Sequence, residues 1–361
     1  MSLISVVIPT YNEKENIEPL AERISHALDG RNYEIILVDD NSPDGTAELA
    51  SRISQQYHLR LITREGKRGL ASAIVDGIAE ARGDIIAVMD ADLQHPPESL
   101  NQMVKEIDNG AELVVASRYT SGGSVEGWGL SRKTISRGAT FLAHLFLPQT
   151  RGVKDPMSGF FIFRRETING KELRPVGYKI LLEILVLGDY REAVEVPYTF
   201  QLRSRGKSKL GLRQETDYLR HIFELMKRSG ELRRFIKFCL VGLSGVGVNL
   251  GLTWLLTESA GLYYVVSNAI GIETSIISNF LLNNYFTFAD RNKPGARALL
   301  GRLLKFNAAS LVGLGINLGA TWLFTDRLGL YYLLSNVIGI ALSMLWNYLS
   351  NNWWTWSWRK Q

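Results

Sequence analysis

Three long stretches without a charged residue divide this chain into two unlike parts. Residues 238–256, 306–325 and 328–357 contain no Asp, Glu, Lys or Arg, whereas charged residues are dense before Arg234. A helix needs about 20 consecutive apolar residues to cross the hydrocarbon core of a bilayer. The second part is therefore expected to span a membrane. The ordinary hydrophobic content of 46% averages a water-soluble part and a membrane part.

The membrane part contains an internal repeat. Residues 237–288 align without gaps on residues 305–356, and about half of the positions are identical, as in NLGLTW with NLGATW and GLYYVVSN with GLYYLLSN. Each copy has two apolar segments joined by a Gly-Leu-Tyr-Tyr hairpin, so each copy crosses twice and both have the same orientation. The sequence predicts four transmembrane helices in two parallel repeats.

The charges that flank these helices predict their orientation. The basic residues that flank the spans include Arg228, Arg233, Arg234, Lys237, Arg291, Lys293, Arg297, Arg302, Lys305, Arg359 and Lys360. The hairpins carry only Glu258, Asp326 and Arg327. The positive-inside rule then places both termini and the whole first part in the cytoplasm. Residues 2–10 are too short for a signal-peptide core and resemble a strand.

Charge and cysteine content exclude several classes of protein. The net charge of +5 is mild, and the basic residues form no patch interleaved with aromatics, so no nucleic-acid partner is expected. The single cysteine, Cys239, excludes a disulfide within the chain. No Cys/His spacing indicates a zinc site.

The first part alternates strand-like and helix-like segments. The predicted strands are residues 3–8, 33–38, 59–63, 85–89 and 113–116, and the predicted helices run from Asn12 to about Leu28 and over residues 46–56, 70–81 and 96–109. Asn12 and Glu15 form a candidate capping pair for the first helix. This alternation predicts an α/β domain with a mainly parallel sheet and a ligand at the carboxyl ends of the strands. The first turn, PTYNE, lacks the GxGxxG pattern of dinucleotide-binding dehydrogenases and argues against that class.

Two carboxylates follow the fourth predicted strand. Asp90 and Asp92 are two residues apart and can face one ligand, and Gln94 adds a third oxygen on the same loop. Carboxylate and amide oxygens suit Mg²⁺ or Mn²⁺, which commonly bridges protein oxygens to a diphosphate. An ordinary loop start rich in Asp is the alternative interpretation.

Several motifs in the same order resemble glycosyltransferase family 2, and within it the dolichyl-phosphate mannose synthases. They are VVIPTYNEKENI, LVDDNSPDGT, VMDADLQHPPE, VVASRY, RKTISRGA and FQLRSRGKSKLG, and together they cover the first part. The second part resembles the GtrA-like membrane domain. The resemblance implies a GT-A type nucleotide-sugar-binding domain followed by an all-α domain of four transmembrane helices.

The resemblance also implies a role for each matching residue. Donor binding falls to Pro9, Tyr11, Glu13, Asp39, Asp40, Arg203, Ser208 and Lys209, metal binding to Asp90, Asp92 and Gln94, and the acceptor phosphate to Arg118, Arg132, Ser136 and Arg137. Glu13 is expected to reach the ribose, and Asp40 or its neighbour Asp39 the base or ribose. Asp90, Asp92, Arg118, Arg132 and Ser136 form the implied catalytic set. Lys207 departs from the family, whose close members often carry an acidic residue there.

The implied reaction is inverting transfer of mannose from GDP-mannose to a polyprenyl (dolichyl) phosphate at the cytoplasmic membrane face, with Mg²⁺ or Mn²⁺ as cofactor. A phosphate acceptor is already a nucleophile and needs no strong general base. The planar fork of arginine suits its oxygens, although surface ion pairs are the usual fate of arginine. A glucosyltransferase using UDP-glucose, and a lipid-linked-sugar flippase fused to a transferase, remain alternatives. Anchoring is the preferred role of the helices.

The sequence also predicts domain boundaries. They are residues 1–210 for the catalytic domain, 211–234 for interfacial juxtamembrane helices, 235–288 and 305–358 for the two transmembrane hairpins, and 289–304 for a cytoplasmic linker. Residues 212–228 are amphipathic, as expected of a helix on the membrane or of an ordinary surface helix. Glu273 lies deep within a span, so it needs a cavity or a hydrogen bond to another helix. Asn249, Asn268, Asn279 and Asn283 recur in the second copy and are expected to join helices.

Overall fold

The computed structural model describes residues 2–66, 69–177, 179–201, 212–292 and 295–358, without the side chains of residues 212–214. The described residues form two compact units, which divide between Leu225 and Met226. The predicted domain boundaries remain proposals.

The first unit is built around a seven-stranded sheet. Its strands are β1 (Ile4–Thr10), β2 (Tyr33–Asp39), β3 (Leu59–Thr63), β4 (Ile85–Val88), β5 (Leu113–Ser117), β7 (Phe161–Arg164) and β8 (Ala193–Pro197), while β6 (Ser124–Val125) and β9 (Thr199–Phe200) form a separate parallel pair. The order across the large sheet is β3-β2-β1-β4-β7-β5-β8, and only β7 is antiparallel to its neighbours. The predicted α/β fold with a mainly parallel sheet is confirmed.

Helices cover both faces of this sheet. The covering helices are α1 (Lys14–Ala27), α2 (Thr46–Ile53), α3 (Leu70–Glu80), α4 (Ser99–Asp108) and α6 (Ile180–Leu187), and the chain also forms α5 (Leu130–Phe146) and α7 (Leu212–Arg228). One core layer packs α1 and α4 on the sheet, and the other packs α3 and α6 on the opposite face. The first four predicted helices are present, but two are shorter than expected, because α2 ends at Ile53 and α4 begins only at Ser99.

The predicted capping pair of α1 is wrong. Asn12 has a φ of 60° and precedes the helix, and no side chain of the N-cap residue bonds the first turn. Donors at this helix end are satisfied from a loop about thirty residues away. The amide of Lys14 donates to Asp44 at 3.2 Å, and the amide before it donates to Thr46 at 3.2 Å. Tertiary structure has replaced the local cap that the pattern favoured.

The second unit is a set of four long helices, α8 (Glu231–Glu258), α9 (Tyr264–Leu282), α10 (Ala296–Trp322) and α11 (Tyr332–Ser350). With the π-helical turns that extend three of them, all four are long and apolar enough to cross a membrane. The prediction of four spanning helices after the α/β domain is confirmed. Helix α10 begins within the segment 289–304 that was predicted as a linker.

The internal repeat is visible in the packing of the second unit. Its buried aromatic cluster consists of three pairs that match between the two copies: Phe238 with Phe306, Phe280 with Tyr348, and Phe288 with Trp356. The rings of Phe288 and Trp356 are stacked, with centroids 4.6 Å apart and an interplanar angle of 4°. The two hairpins therefore meet through equivalent surfaces.

Glycine and asparagine form the closest helix contact within each hairpin. A Cβ added to Gly245 would lie 2.3 Å from the amide nitrogen of Asn279, and one added to Gly271 would lie 2.5 Å from Oδ1 of Asn249. Two of the four predicted asparagines thus lie where helices meet. Glu273 is exposed on α9, and among the described residues no side chain hydrogen-bonds to it.

Candidate active site

The predicted site residues converge on one edge of the large sheet. Parallel strands end at the same edge, so residues that follow them in the chain become neighbours. At this edge lie Pro9 near the end of β1 and Tyr11 after it, Asp39 at the end of β2 and Asp40 after it, Asp90 and Asp92 after β4, and Arg118 after β5. Because β7 runs antiparallel between β4 and β5, its amino end also lies here, and a Cβ on Gly159 would be 3.2 Å from Oδ2 of Asp90.

The two acidic residues at the carboxyl end of β2 both accept hydrogen bonds from other residues of the protein. Buried Asp39 accepts hydrogen bonds from the amide of Ser42 at 2.8 Å and from the Thr10 hydroxyl at 3.2 Å. Asp40 accepts from Nε of Arg64 at 2.7 Å and from the amide of Gly69 at 2.8 Å. Both carboxylates therefore shape the loops around the predicted nucleoside pocket, and a direct contact with base or ribose remains a prediction. Sequence reasoning missed Arg64.

The other residues that are predicted to bind the nucleoside lie in β1 and in the turn that follows it. Pro9 is buried in β1, whereas Tyr11 and Glu13 are half-buried at the turn that follows. The carboxylate of Glu13 accepts a hydrogen bond from the side-chain Nδ2 of Asn16 at 2.7 Å, which orients it. The predicted diphosphate residues Arg203, Ser208 and Lys209, and the departure at Lys207, lie outside the described residues.

A buried histidine holds the backbone of Asp90. Nδ1 of His95 accepts the Asp90 amide hydrogen at 3.2 Å, and its ring packs against Phe160, Tyr198 and Phe200. Burial lowers the pKa of His95 to about 4, so the ring is neutral and carries its proton on Nε2. The carboxylate of Asp90 is one third exposed at the edge of the sheet.

The loop after β4 offers oxygens that fit a divalent cation. Asp92 accepts the backbone amide hydrogen of Gln94 at 3.2 Å, and Nε2 of Gln94 donates to the carbonyl of Gln201 at 2.9 Å, a bond that does not use the side-chain oxygen of Gln94. Two carboxylates and an amide oxygen are hard ligands suited to Mg²⁺ or Mn²⁺. Within the described residues no three His, Cys, Asp or Glu side chains form a complete cage, so a ligand would have to supply further oxygens.

Arg118 is held by a buried aspartate that the sequence analysis did not single out. Its Nε and Nη2 donate to the two carboxylate oxygens of Asp155, each at 2.7 Å, and both side chains are buried. Burial alone would lower the pKa of Arg118, but the hydrogen bonds and charge of Asp155 outweigh it and raise that pKa. Arg118 is thus a fixed positive charge, and its fork is already occupied on one side.

The other three residues that are predicted to bind the acceptor phosphate lie on α5. The guanidinium of Arg132 lies 4.2 Å from the ring centre of Trp128, and that of Arg118 lies 5.3 Å from the same ring. The Tyr119 hydroxyl donates to Ser136 at 2.8 Å. A cavity of about 370 Å³ is lined by Arg118, Tyr119, Thr120, Gly123, Arg137, Thr140 and Lys154. Two of the four predicted residues line this basic cavity.

Helix α5 combines these residues with an apolar surface. Leu130, Ile135 and Phe141 are more than half exposed, and Ala143 is the one fully buried residue of this helix. An amphipathic helix with basic and exposed apolar residues is typical of one that lies at a membrane surface. The sequence suggested that character only for residues 212–228, with an ordinary surface helix as the alternative.

Sequence reasoning also missed Lys179, the residue before α6. Its Nζ donates to the carbonyl of Met157 at 2.7 Å. Burial lowers the pKa of Lys179 to about 8, the charges of Arg118 and Arg132 act in the same direction, and Asp155 and Asp90 oppose them. The available signal was a lone lysine directly before an almost wholly apolar helix, ILLEILVL.

Comparison with protein families gives two matches along the chain. Residues 5–169 match glycosyl transferase family 2, and residues 237–356 match the GtrA/DPMS transmembrane domain. The chain is accordingly an integral membrane protein.

Curated relatives match over one or both units. The chain is 46% identical over 354 residues to the dolichol-phosphate mannosyltransferase of Pyrococcus furiosus, covering 98% of this chain and 99% of the relative. Proteins with the same description from Mycosarcoma maydis and Saccharomyces cerevisiae are 39% and 38% identical, covering 62% and 61% of this chain and 79% and 86% of the relatives. Among solved structures, glucosyl-3-phosphoglycerate synthase from Mycobacterium tuberculosis is similar at 23% identity and a TM-score of 0.48, covering 63% of this chain and 80% of that one.

Proposed function

The chain belongs to the dolichol-phosphate mannosyltransferases, and from that premise we propose that it transfers mannose from GDP-mannose to dolichyl or a related polyprenyl phosphate, giving the lipid-linked mannosyl phosphate and GDP. The observation that carries this proposal is the 46% identity with the Pyrococcus furiosus relative across both units. A glucosyltransferase using UDP-glucose is the alternative donor specificity.

The donor diphosphate is expected at the loop after β4. Asp90, Asp92 and Gln94 would hold Mg²⁺ or Mn²⁺, which neutralises the diphosphate and stabilises the leaving group when bound. The ammonium of Lys179 lies close enough to Asp90 for their charges to interact, and it adds a positive charge suited to the same diphosphate. His95 keeps the Asp90 backbone in place without carrying a charge.

The acceptor phosphate is expected near Arg118 and α5. Arg118 and Arg137 line the basic cavity, and Arg132 stacks on Trp128 close by. The exposed apolar side chains of the same helix suit an acceptor that arrives from a lipid surface. The acceptor oxygen attacks the anomeric carbon as the sugar–phosphate bond to the donor breaks, and a single displacement inverts that centre. No protein base is required, because the phosphate is already ionised.

We propose that the second unit anchors the first, with both termini in the cytoplasm. The flanking positive charges support this orientation. The exposed position of Glu273 on α9 supports anchoring over transport, because a transport path is expected to be lined from within the unit. A flippase would deliver the mannosyl lipid to the far leaflet of liposomes at a rate dependent on Glu273.

The direct test of this function is a radiolabel-transfer assay with the purified chain. GDP-mannose and UDP-glucose, each with labelled sugar, are offered with dolichyl phosphate and Mg²⁺ or Mn²⁺. Label from GDP-mannose should enter the lipid fraction, and removal of the metal by a chelator should stop transfer. Preferential transfer from UDP-glucose would replace the proposed donor by the alternative one.

A further inference from the structure

A buried glutamate and a buried histidine join α6 to α7 outside the site described above. Oε1 of Glu183 lies 3.4 Å from Nε2 of His221, and both side chains are only 1% exposed. The other carboxylate oxygen accepts the backbone amide hydrogen of Arg174 at 2.8 Å. Within the described part of the chain no partner reaches Nδ1 of His221.

This buried pair is not expected to stabilise the fold more than apolar residues at the same positions would. Taking a carboxylate out of water is costly, and replacing a buried charged pair with well-packed apolar residues is often neutral or stabilising. The unpartnered Nδ1 of His221 adds a further cost. Leucine at position 183 would match the otherwise apolar helix α6. The pair therefore calls for a role other than packing.

The position of Glu183 connects it with the reacting centre. Lys179 is the N-cap residue of α6, and Glu183 lies one turn later on the same short helix. The amide that Glu183 holds belongs to Arg174, five residues before Lys179. One carboxylate thus fixes the chain on both sides of Lys179, whose Nζ is bonded to Met157 O and whose charge acts on Asp90.

His221 connects the same carboxylate with α7. Tyr218, Ile222 and Leu225 share the buried side of that helix with His221, and the Tyr218 hydroxyl donates to the carbonyl of Ala139 on α5. Leu219 and Phe223 on the other side are at least half exposed. A shift of α7 would therefore move His221 and, through its contact with Glu183, the first turn of α6.

We propose that Glu183 and His221 are positioning residues for the transfer reaction, which hold Lys179 against the sheet edge that carries Asp90 by locking the start of α6 onto α7. The inference rests on the proposed function. Displacements of about 1 Å at a reacting group can cost on the order of 100-fold in rate, so a small shift of α6 is sufficient to affect turnover.

The test compares Glu183→Leu, His221→Leu, the double variant Glu183→Leu/His221→Leu, and Glu183→Gln in the full-length protein. Glu34→Leu is the matched control, because Glu34 also accepts a backbone amide hydrogen, from Arg82 at 2.8 Å, but lies at the opposite end of its strand. For each variant the unfolding temperature, kcat, and the KM values for GDP-mannose and dolichyl phosphate are measured.

Each variant has an expected result. Glu183→Leu and His221→Leu should lower kcat about tenfold or more, with the KM for dolichyl phosphate changed by less than about twofold. Glu183→Gln keeps an oxygen that can accept the Arg174 amide hydrogen. Its NH2 group can donate to Nε2 of His221 when the imidazole is in the tautomer with the proton on Nδ1. This variant should therefore retain most activity. The double variant should recover part of the unfolding temperature lost in Glu183→Leu, because the His221 ring is no longer buried without a partner. It should not recover kcat, because the Arg174 amide still lacks its acceptor.

Recovery of kcat together with unfolding temperature in the double variant would overturn the inference and leave a purely structural pair. So would an equal loss of kcat in Glu34→Leu. Absence of mannosyl transfer by the unsubstituted protein would instead refute the proposed function, so the two failures are distinguishable.

Discussion

Buried polar residues are distributed differently in the two units, and the difference separates chemistry from packing. In the second unit they come in pairs that match between the repeats: Ser267 with Ser335, Asn283 with Asn351, Asn284 with Asn352, and Thr287 with Thr355. In the first unit Asp92, His95, Arg118 and Asp155 are buried near one sheet edge. A polar group used equally in both repeats serves packing, whereas an unrepeated cluster of charges indicates a site for a charged ligand.

Two buried groups of the described second unit depart from this pairing: Arg302 matches Arg234, which is only half-buried, and Glu231 has no polar counterpart. Glu231 lies 2.6 Å from Nη2 of Arg291, and the Tyr348 hydroxyl lies 3.3 Å from its carboxylate. The repeat counterpart of Glu231 is Leu299. Because Tyr348 belongs to the second hairpin, this contact links the two copies, so its structural role is the joining of one repeat to the other.

The largest effect should follow from loss of a predicted metal ligand in the first unit. Asp92→Asn removes one ligand charge, and metal stabilisation of a leaving group is worth several kcal/mol, so kcat should fall about 100-fold or more. Asp290→Asn is the control in the second unit, where Asp290 pairs with Arg234 at 2.7 Å, and it should leave kcat nearly unchanged. Full turnover by Asp92→Asn in chelator-treated buffer would remove Asp92 from the metal site.

A smaller effect is expected at the acceptor side. Arg132→Ala removes one charge-assisted contact, worth about 1.5–3 kcal/mol, and should raise the KM for dolichyl phosphate about tenfold or more without weakening GDP binding. Arg23→Ala, which breaks a surface ion pair with Glu98, is the control. Calorimetry that shows weaker GDP binding with an unchanged acceptor KM would move Arg132 to the donor side.

A smaller pH effect is expected at Lys179. Its pKa of about 8 means that the positive charge is lost as pH rises through that value. The KM for GDP-mannose should therefore rise above pH 8, by at most about tenfold per pH unit. Lys179→Arg stays charged throughout and should flatten this rise. An unchanged profile in Lys179→Arg would assign the titration to another group.

The smallest effect on catalysis should come from the helix contacts of the second unit. Gly245→Leu and Gly313→Leu force side chains into Asn279 and Asn347, so both should lower the unfolding temperature of the full-length protein. Gly251, with nothing within 4 Å of an added Cβ, is the matched control. None of the three should change kcat with a detergent-dispersed acceptor. A kcat loss specific to Gly245→Leu would place part of the chemistry in the second unit.

The parts of the site that the sequence predicts are those that follow a strand in a parallel sheet. Asp90, Asp92 and Arg118 are examples, because local alternation alone places them at one edge. Asp155 and Lys179 could not be found in this way. Asp155 reaches the edge because it precedes β7, which inserts antiparallel between β4 and β5, and no local pattern predicts that insertion. Lys179 is joined to the same segment by its hydrogen bond to the carbonyl of Met157.

The error at the start of α1 has the same physical origin. Asn12 and Glu15 match a local capping pattern, yet Asp44 and Thr46 accept the amide hydrogens at this helix end. The transmembrane helices and hairpins of the repeat were easier to predict, because each of them follows from the hydrophobicity of a continuous segment of the sequence. Its residue pairing follows from the duplicated sequence.

The central claim is that the first unit performs the whole reaction and the second supplies the membrane. The most direct test is transfer of labelled mannose by a chain that ends at Arg228 to a short polyprenyl phosphate dispersed in detergent. The truncated chain should bind GDP and form the lipid-linked product, because every predicted site residue precedes α7 and the first unit has its own two core layers. A truncated chain that is folded and binds GDP but forms no product would contradict the account.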